Sequence, residues 1–275
     1  MLRTVTSTMT LQEAADQLGT HYMTVYRYVR LGRLPARKVG GTWEVEKADV
    51  EALRSGSEPK VRPRHSADWS GRLEARLVEG DEAGAWGVVE AALASGTTPG
   101  EIYTGLIGPA LASLGARWHD GTISIAQEHL ATAVALRLIG RMGPRFARKG
   151  RTKGVVVVTT PAGERHAIPS LMVSDLLRGT GFQVIDLGAD VPGDSLAQII
   201  PAFDGLVAVC ISSTRPNADP AVRRSIKAAR QAAPDVKIFV GGASITDATH
   251  AARLGADGWA PDGPGAVELV LEVLA

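Results

Sequence analysis

Cysteine is nearly absent from this chain, which has one, Cys210, among 275 residues. A single thiol excludes an internal disulfide framework and suits a reducing compartment. Because Cys210 follows the apolar run 206–209, we interpret it as a packed residue of a buried strand. No apolar run approaches the ~20 residues that span a membrane, and the first residues lack the order of a signal peptide. We therefore expect a cytoplasmic protein that has no membrane partner.

Length and charge predict several domains with different partners. Hydrophobic residues make up 45% of the chain, enough for compact cores, and 275 residues exceed what one core usually holds. Residues 1–65 contain eleven basic and seven acidic residues, a formal net charge of +4, whereas the remaining residues carry −3. Positive charge concentrated at the N-terminal end indicates contact with a polyanion.

Residues 1–54 contain the signals of a winged helix-turn-helix. Thr10, with Glu13 in a capping box, predicts a helix from Leu11 to about Gln17. Gly19 ends that helix, and Thr20 is a suitable cap for a second helix from about His21 to Arg30. Residues 34–39 and 42–45 flank Gly40-Gly41 and predict a hairpin, followed by a helix over about 47–53.

The second helix and the hairpin are the predicted DNA-binding surface. The segment from Thr20 to Trp43 contains five basic residues and no acidic one, which suits contact with phosphates. The residues expected to contact DNA are His21, Tyr22, Thr24, Arg27, Arg37 and Lys38. The alternative is a small helical domain whose arginines are only solvated. The pattern resembles the excisionase-type branch of the MerR superfamily over residues 10–54, on Thr10-Leu11-x-Glu13-Ala14-Ala15, Val25-x-Arg27, Gly32-x-Leu34-Pro35 and Gly-Gly-x-Trp43.

The middle of the chain predicts a linker and then a four-helix bundle. Residues 55–66 combine Ser, Gly and Pro with mixed charges, as linkers do. Residues 67–149 show helical periodicity without strand alternation. The expected helices are Ser66–Glu79, Glu82–Ala94, Pro99–His119 and Ile125–Phe146, with Asp81 and Thr98 as caps.

Residues 150–275 alternate strand-like and helical runs and predict a flavodoxin-like α/β domain, a doubly wound parallel sheet. The expected strand order is 2-1-3-4-5, with ligands beyond the carboxyl ends of the strands at the switch point. Ser212, Thr214, Gly241 and Gly242 follow the third and fourth strands and leave room there for a long polar group. The first strand is not followed by Gly-x-Gly-x-x-Gly, which disfavours a dinucleotide.

Two motifs far apart in the sequence predict the ligand. Trp118-His119 precedes Glu128-His129 with the spacing Trp-x9-Glu-His, and Glu164-x-His166 follows the first strand of the α/β domain. Together they resemble the CarH/LitR family of light-responsive, cobalamin-dependent repressors. The wider cobalamin pattern is Asp-x-His-x-x-Gly, and here Glu164 replaces the Asp and Pro169 the Gly.

The resemblance implies a cofactor site with residues on both sides of a corrin. His166 is the expected lower ligand of cobalt, with Glu164 as its hydrogen-bond acceptor. On the upper side, Trp118 is expected to pack on an adenosyl group, and Glu128 and His129 to orient it. His119 is the expected upper ligand after photolysis, with His129 as the alternative. The nucleotide tail would lie along Ser212, Thr214, Gly241 and Gly242.

The implied function is a transcriptional repressor and not an enzyme. The resemblance implies adenosylcobalamin, with methylcobalamin as an alternative, a homotetramer in the dark and a double-stranded DNA operator that is released in light. Three other interpretations stay open. They are a corrinoid carrier for methyl transfer, a cobalamin-sensing regulator without light response, and an α/β domain that binds another small molecule.

Overall fold

The computed structural model describes residues 8–30, 34, 36–39, 42–54 and 68–274, without the side chains of residues 27, 30 and 37–39. The chain divides into two compact units, Met1–Ala131 and Thr132–Ala275. Among the described residues, no helix is both long and apolar enough to cross a membrane.

The N-terminal head is a helix-turn-helix with a small antiparallel sheet, as the sequence predicted. Its elements are β1 (Thr8–Thr10), α1 (Leu11–Leu18), α2 (Tyr22–Arg30), β2 (Ala36–Val39), β3 (Thr42–Glu46) and α3 (Lys47–Arg54), and the strand order is β1-β3-β2. Leu11, Val25, Leu34, Val45 and Val50 form its buried core.

The ends of the two helices are set by local hydrogen bonds. The Thr10–Glu13 capping box is present, and Gly19 ends α1 at φ +63°, where glycine avoids a Cβ clash. The predicted cap of the second helix is wrong by one residue. His21 precedes α2, and its Nδ1 accepts a hydrogen bond from the Met23 N–H at 3.2 Å, which replaces the predicted cap Thr20.

Some predicted features lie outside the described residues. These are the turn Gly40-Gly41, Gly32, Pro35 and the linker 55–66.

The helical region contains the four predicted helical segments, but the third is not a continuous α-helix. Its elements are α4 (Trp69–Glu79), α5 (Glu82–Ala94), α6 (Pro99–Ile102), α7 (Gly108–His119) and α8 (Ile125–Met142). Asp81 and Thr98 cap α5 and α6 as predicted, and Asp68 caps α4. Residues 143–146 form a 3-10 turn in place of the predicted end of the fourth helix.

A π-helical turn, Tyr103–Ile107, separates α6 from α7. The Gly108 N–H donates to the Tyr103 carbonyl, five residues back. The wider turn buries Tyr103, Leu106 and Ile107 together, an adjustment that apolar periodicity alone does not indicate.

The C-terminal domain is the predicted parallel sheet between helices. Its elements are β4 (Val155–Thr159), α9 (Ile168–Thr180), β5 (Gln183–Asp186), α10 (Gly193–Ile199), β6 (Leu206–Ser212), α11 (Asp219–Ala232), β7 (Lys237–Gly241), α12 (Ala248–Leu254), β8 (Gly258–Ala260) and α13 (Gly263–Glu272). The order β5-β4-β6-β7-β8 is 2-1-3-4-5, which confirms the flavodoxin-like topology.

Alternating strand residues form a core on each face of this sheet. Val157, Val209 and Val240 belong to one core cluster, and Val156, Val158 and Cys210 to the other. Burial raises the pKa of the Cys210 thiol to about 12, consistent with its predicted packing role.

The helix before β8, α12, begins at Ala248 because Asp247 caps it by accepting from the His250 N–H at 2.7 Å.

Candidate cofactor site

The loop between β4 and α9 holds the predicted Glu164-x-His166 motif at the carboxyl end of the sheet. Thr160, the first residue after β4, donates through Oγ1 to the Glu164 carbonyl at 3.0 Å. The same hydroxyl accepts from the Asp190 N–H at 2.9 Å, and Asp190 Oδ1 accepts from the Gly163 N–H at 2.6 Å. The loop after β5 therefore fixes the loop that carries the motif.

Glu164 is the buried centre of this site. Only 1% of its surface is exposed. Its Oε1 accepts from the His166 N–H at 3.0 Å, and its Oε2 accepts from the N–H groups of Thr214 at 2.6 Å and Arg215 at 2.7 Å. Burial raises the pKa of Glu164, but the hydrogen bonds from the His166, Thr214 and Arg215 backbone and the His166 side chain lower it to about 2. The carboxylate is therefore ionised at neutral pH.

This carboxylate determines which ring nitrogen of His166 is free. The His166 Nδ1 lies 2.6 Å from Glu164 Oε1 and 2.9 Å from Thr214 Oγ1. Because an ionised carboxylate only accepts, Nδ1 carries a proton, and in the neutral ring the lone pair is therefore on Nε2. The His166 side chain is 65% exposed, so this lone pair is accessible to a metal.

Pro169, which departs from the cobalamin pattern, lies at the second residue of α9. A helix's first N–H groups have no intrahelical acceptor, so proline costs the helix no hydrogen bond there.

The segments after β6 and β7 meet beside Glu164. Thr214 contacts Glu164 directly, and Gly242 lies against the backbone of Ser213, where a Cβ on Gly242 would come within 2.3 Å of the Ser213 carbonyl oxygen. A Cβ on Gly241 would come within 2.7 Å of the Ala260 carbonyl oxygen. Both glycines are therefore required for the close approach of neighbouring segments.

The structure places the predicted bundle residues around one connection. Trp118 and His119 end α7, and Glu128 and His129 lie in the first turns of α8. Trp118 is 49% exposed, and Glu128 Oε2 lies 2.7 Å from His129 Nδ1. Ile125 and Leu130 are also exposed, so large apolar side chains are accessible near this connection.

The predicted DNA-binding residues lie on α2 and β2. His21 and Tyr22 are exposed at the start of α2, Tyr22 stacks on Tyr26, and Thr24 is half-buried. Arg27 lies on α2, and Arg37 and Lys38 lie on β2, but their side chains fall outside the described part of the chain.

Sequence reasoning missed three contributors to the site. Thr160, Asp190 and Arg215 support the Glu164 loop through the contacts above. The Ser213 hydroxyl is buried and has no hydrogen-bond partner among the described residues. The Ser212-Ser213-Thr214 run indicated a binding site in the sequence, since three hydroxyls after a buried strand suit a polar ligand. No pattern in the sequence indicated a role for Asp190.

These residues fit a corrinoid. An imidazole with a fixed tautomer offers one nitrogen to cobalt, and the buried Ser213 hydroxyl, just after β6, lacks a partner among the described residues.

Known sequence families match all three regions. A family described as "B12 binding domain" matches residues 154–271, a second with the same description matches residues 70–141, and "Helix-turn-helix domain" matches residues 8–56. Trimethylamine corrinoid protein 2 of Methanosarcina mazei is 30% identical over 66% of this chain and 84% of its own. The chain belongs to the B12-binding protein family.

Two further similarities refine this assignment. The HTH-type transcriptional repressor CarH of Myxococcus xanthus is 30% identical over 73% of this B12-binding chain, and the match spans 66% of the repressor's length. The resemblance to the CarH/LitR family is thereby confirmed. The structure of the Methanosarcina barkeri monomethylamine corrinoid protein matches with a TM-score of 0.65 at 21% identity, covering 73% of this chain and 96% of that one, and so shares the fold.

Proposed function

We propose that the protein is a cytoplasmic transcriptional repressor that uses adenosylcobalamin to respond to light. The observation that carries the proposal is His166 with its tautomer fixed by Glu164, in one chain with a helix-turn-helix head. The similarity to CarH and to the helix-turn-helix family supports a regulator over an enzyme. In the dark the protein is expected to bind its DNA operator as a homotetramer.

His166 is the proposed lower ligand of cobalt. Its Nε2 holds the accessible lone pair, and Glu164 increases the basicity of the ring through Nδ1. The nucleotide tail is proposed to lie along Ser212, Thr214, Gly241 and Gly242, where the buried Ser213 hydroxyl could gain its missing partner.

Adenosylcobalamin, when bound, supplies a cobalt–carbon bond that green light cleaves. Trp118 is proposed to pack on the adenosyl group, while Glu128 and His129, already joined at 2.7 Å, orient it. His119, next to Trp118, is the proposed imidazole that contacts the upper side after illumination. If tetramer and dissociated subunits differ in affinity for the intact cofactor, its loss shifts the equilibrium away from the DNA-bound form.

DNA contact is assigned to α2 and β2. His21, Tyr22, Thr24 and Arg27 are proposed to face the major groove, with Thr24 and Arg27 reading bases. Arg37 and Lys38 on β2 are proposed to contact phosphates.

The test uses full-length protein loaded with adenosylcobalamin in the dark. Its absorption spectrum and its mobility shift on DNA from upstream of its own gene are measured before and after green illumination. We expect a changed spectrum, loss of the tetramer on size exclusion and release of DNA. If DNA binding and oligomeric state were both unchanged after photolysis, the light response would be contradicted. The protein would then be a cobalamin-sensing regulator that does not respond to light.

Two histidine variants extend the same test. His166→Ala is expected to fold but to lose the spectrum of nitrogen coordination and to bind cobalamin 10–100-fold more weakly. His21→Ala is the matched control, an exposed histidine of the head that should keep the cofactor and affect DNA alone. An unchanged spectrum in His166→Ala contradicts the lower-ligand assignment.

A corrinoid carrier for methyl transfer is the second candidate, because the similarity to trimethylamine corrinoid protein 2 covers 84% of that protein. The helix-turn-helix head argues against the carrier, because methyl transfer requires no contact with DNA. A protein that binds no DNA in either light condition but accepts a methyl group from a corrinoid methyltransferase would favour the carrier.

A further inference from the structure

A groove of about 520 Å³ lies at the amino ends of β4 and β5. It is formed by residues 147–153, which precede β4, and by residues 178 and 180–184, from the end of α9 to the start of β5. His166 follows the carboxyl end of β4, so the groove lies at the opposite edge of the sheet from the candidate cofactor site. We call it the basic groove.

The sequence around this groove has an extreme charge. Residues 137–153 contain seven Arg and Lys residues and no Asp or Glu. All other residues between 66 and 275 together contain twelve basic and twenty-two acidic ones. Residues 66–275 therefore have a negative net charge as a whole, although residues 137–153 form a strongly positive cluster. Such clusters attract polyanions.

Backbone contacts hold the cationic segment in place. Thr152 Oγ1 donates to the Gly154 carbonyl at 2.9 Å and accepts from the Gln183 N–H at 3.1 Å. The Lys153 N–H donates to the Gly181 carbonyl at 3.0 Å. The segment is therefore attached to the start of β5, which fixes where its side chains emerge.

Three of the groove's cations are available for a ligand. Arg148, Lys149 and Arg151 are exposed, and none has a carboxylate partner among the described residues. In contrast, Arg178 is paired with Asp175 at 2.9 Å, and the Lys153 Nζ lies 5.9 Å from the centre of the Phe182 ring.

We propose that the basic groove binds backbone phosphates of double-stranded DNA, as a second contact besides the head. This inference rests on the proposed function as a DNA-binding regulator. Exposed cations are screened by salt and hold a single small anion weakly. DNA presents many phosphates at once, and its binding gains from the release of condensed counterions. The groove supplies affinity without reading sequence.

The experiment compares the salt dependence of DNA binding in full-length variants. The probe is a fluorescent 30-base-pair duplex of random sequence, and anisotropy gives its affinity between about 50 and 200 mM KCl, the range over which phosphate contacts weaken. For Arg148→Gln/Lys149→Gln/Arg151→Gln, we expect about tenfold weaker binding at the lowest salt. The slope of log K against log salt should become shallower by about 2 to 3, since each phosphate contact contributes ~0.9.

Two controls make the result specific. Arg224→Gln/Lys227→Gln/Lys237→Gln removes three exposed charges from the same domain and should keep the wild-type slope. Arg148→Lys/Arg151→Lys retains the charge and should also keep it. Equal losses in both triple variants, or a wild-type slope in the groove variant, would overturn the inference while leaving the regulator intact. Wild-type protein that binds neither the random duplex nor its upstream DNA would overturn the proposed function as well.

Discussion

At the scale of single residues, the Glu164 carboxylate both orients the His166 ring and contributes to the stability of the α/β domain. Its pKa of about 2 in the folded protein lies below the ordinary 4.5, so the ionised form stabilises the fold. This contribution, on the order of 3 kcal/mol, is fully present above pH ~4.5 and is lost as the pH falls through about 2.

Glu164→Gln is therefore expected to lower the free energy of unfolding by about 3 kcal/mol at pH 7 and by much less near pH 2. Guanidinium unfolding at pH 7, 5 and 3, followed by circular dichroism, measures the difference from wild type. Labelling of Cys210, the chain's single cysteine, identifies the transition of the α/β domain at pH 7. Glu268→Gln, an exposed carboxylate of α13, should change stability by less than about 0.5 kcal/mol. A gap between wild type and Glu164→Gln that does not narrow toward low pH contradicts this assignment.

The hydrogen bond between Glu164 and His166 could be predicted from sequence. The two residues are close neighbours in one loop, so their contact does not depend on the packing of distant segments. Asp190 and Arg215 could not, since they reach Glu164 and its loop from segments after β5 and β6. Their contribution depends on how three loops converge, which neither charge nor spacing in the sequence indicates.

At the scale of elements, the turn after β7 depends on Gly242. Its φ is +91°, and an added Cβ would meet the Ser213 carbonyl oxygen, a backbone atom that cannot rotate away. Gly242→Ala is expected to destabilise the α/β domain by about 2–4 kcal/mol. It should also weaken cobalamin binding, because Ser213 precedes Thr214, a direct partner of Glu164.

Gly188→Ala is the matched variant for this prediction. Gly188 also has a positive φ, +72°, but nothing lies within 4 Å of an added Cβ. Gly188→Ala should therefore lower the free energy of unfolding only through backbone strain, by about 1–2 kcal/mol. Denaturant midpoints and cobalamin titrations of the two variants separate strain from the clash, and equal effects would show that the contact with Ser213 is unimportant.

The types and order of most elements could be predicted, because apolar alternation and helix caps are local signals. The head, the α/β order 2-1-3-4-5 and the caps Thr10, Asp81 and Thr98 follow from them. The π turn Tyr103–Ile107 could not, since it depends on burying three side chains together. The start of α12 depended on which of several polar residues caps it.

At the scale of the whole molecule, the proposed light response depends on whether an imidazole of the bundle replaces the lost upper group. Two histidines compete for this role. His129 is already hydrogen-bonded to Glu128, so using it as a ligand would cost that contact. His119 ends α7 beside the exposed Trp118, and its own side chain is exposed. We therefore expect His119 to be the upper ligand after illumination.

The measurement is the absorption spectrum and cofactor retention of His119→Ala and His129→Ala after green illumination of protein loaded with adenosylcobalamin. His119→Ala should reach a different photoproduct and lose cobalamin on desalting at least tenfold faster than wild type, because a ligand bond is missing. His129→Ala should form the wild-type photoproduct, since it removes only an orienting contact. If His119→Ala gives the wild-type product and His129→Ala does not, the two roles are exchanged. If both variants match wild type, the bundle supplies no ligand, and the release of DNA must follow from the loss of packing against Trp118 alone.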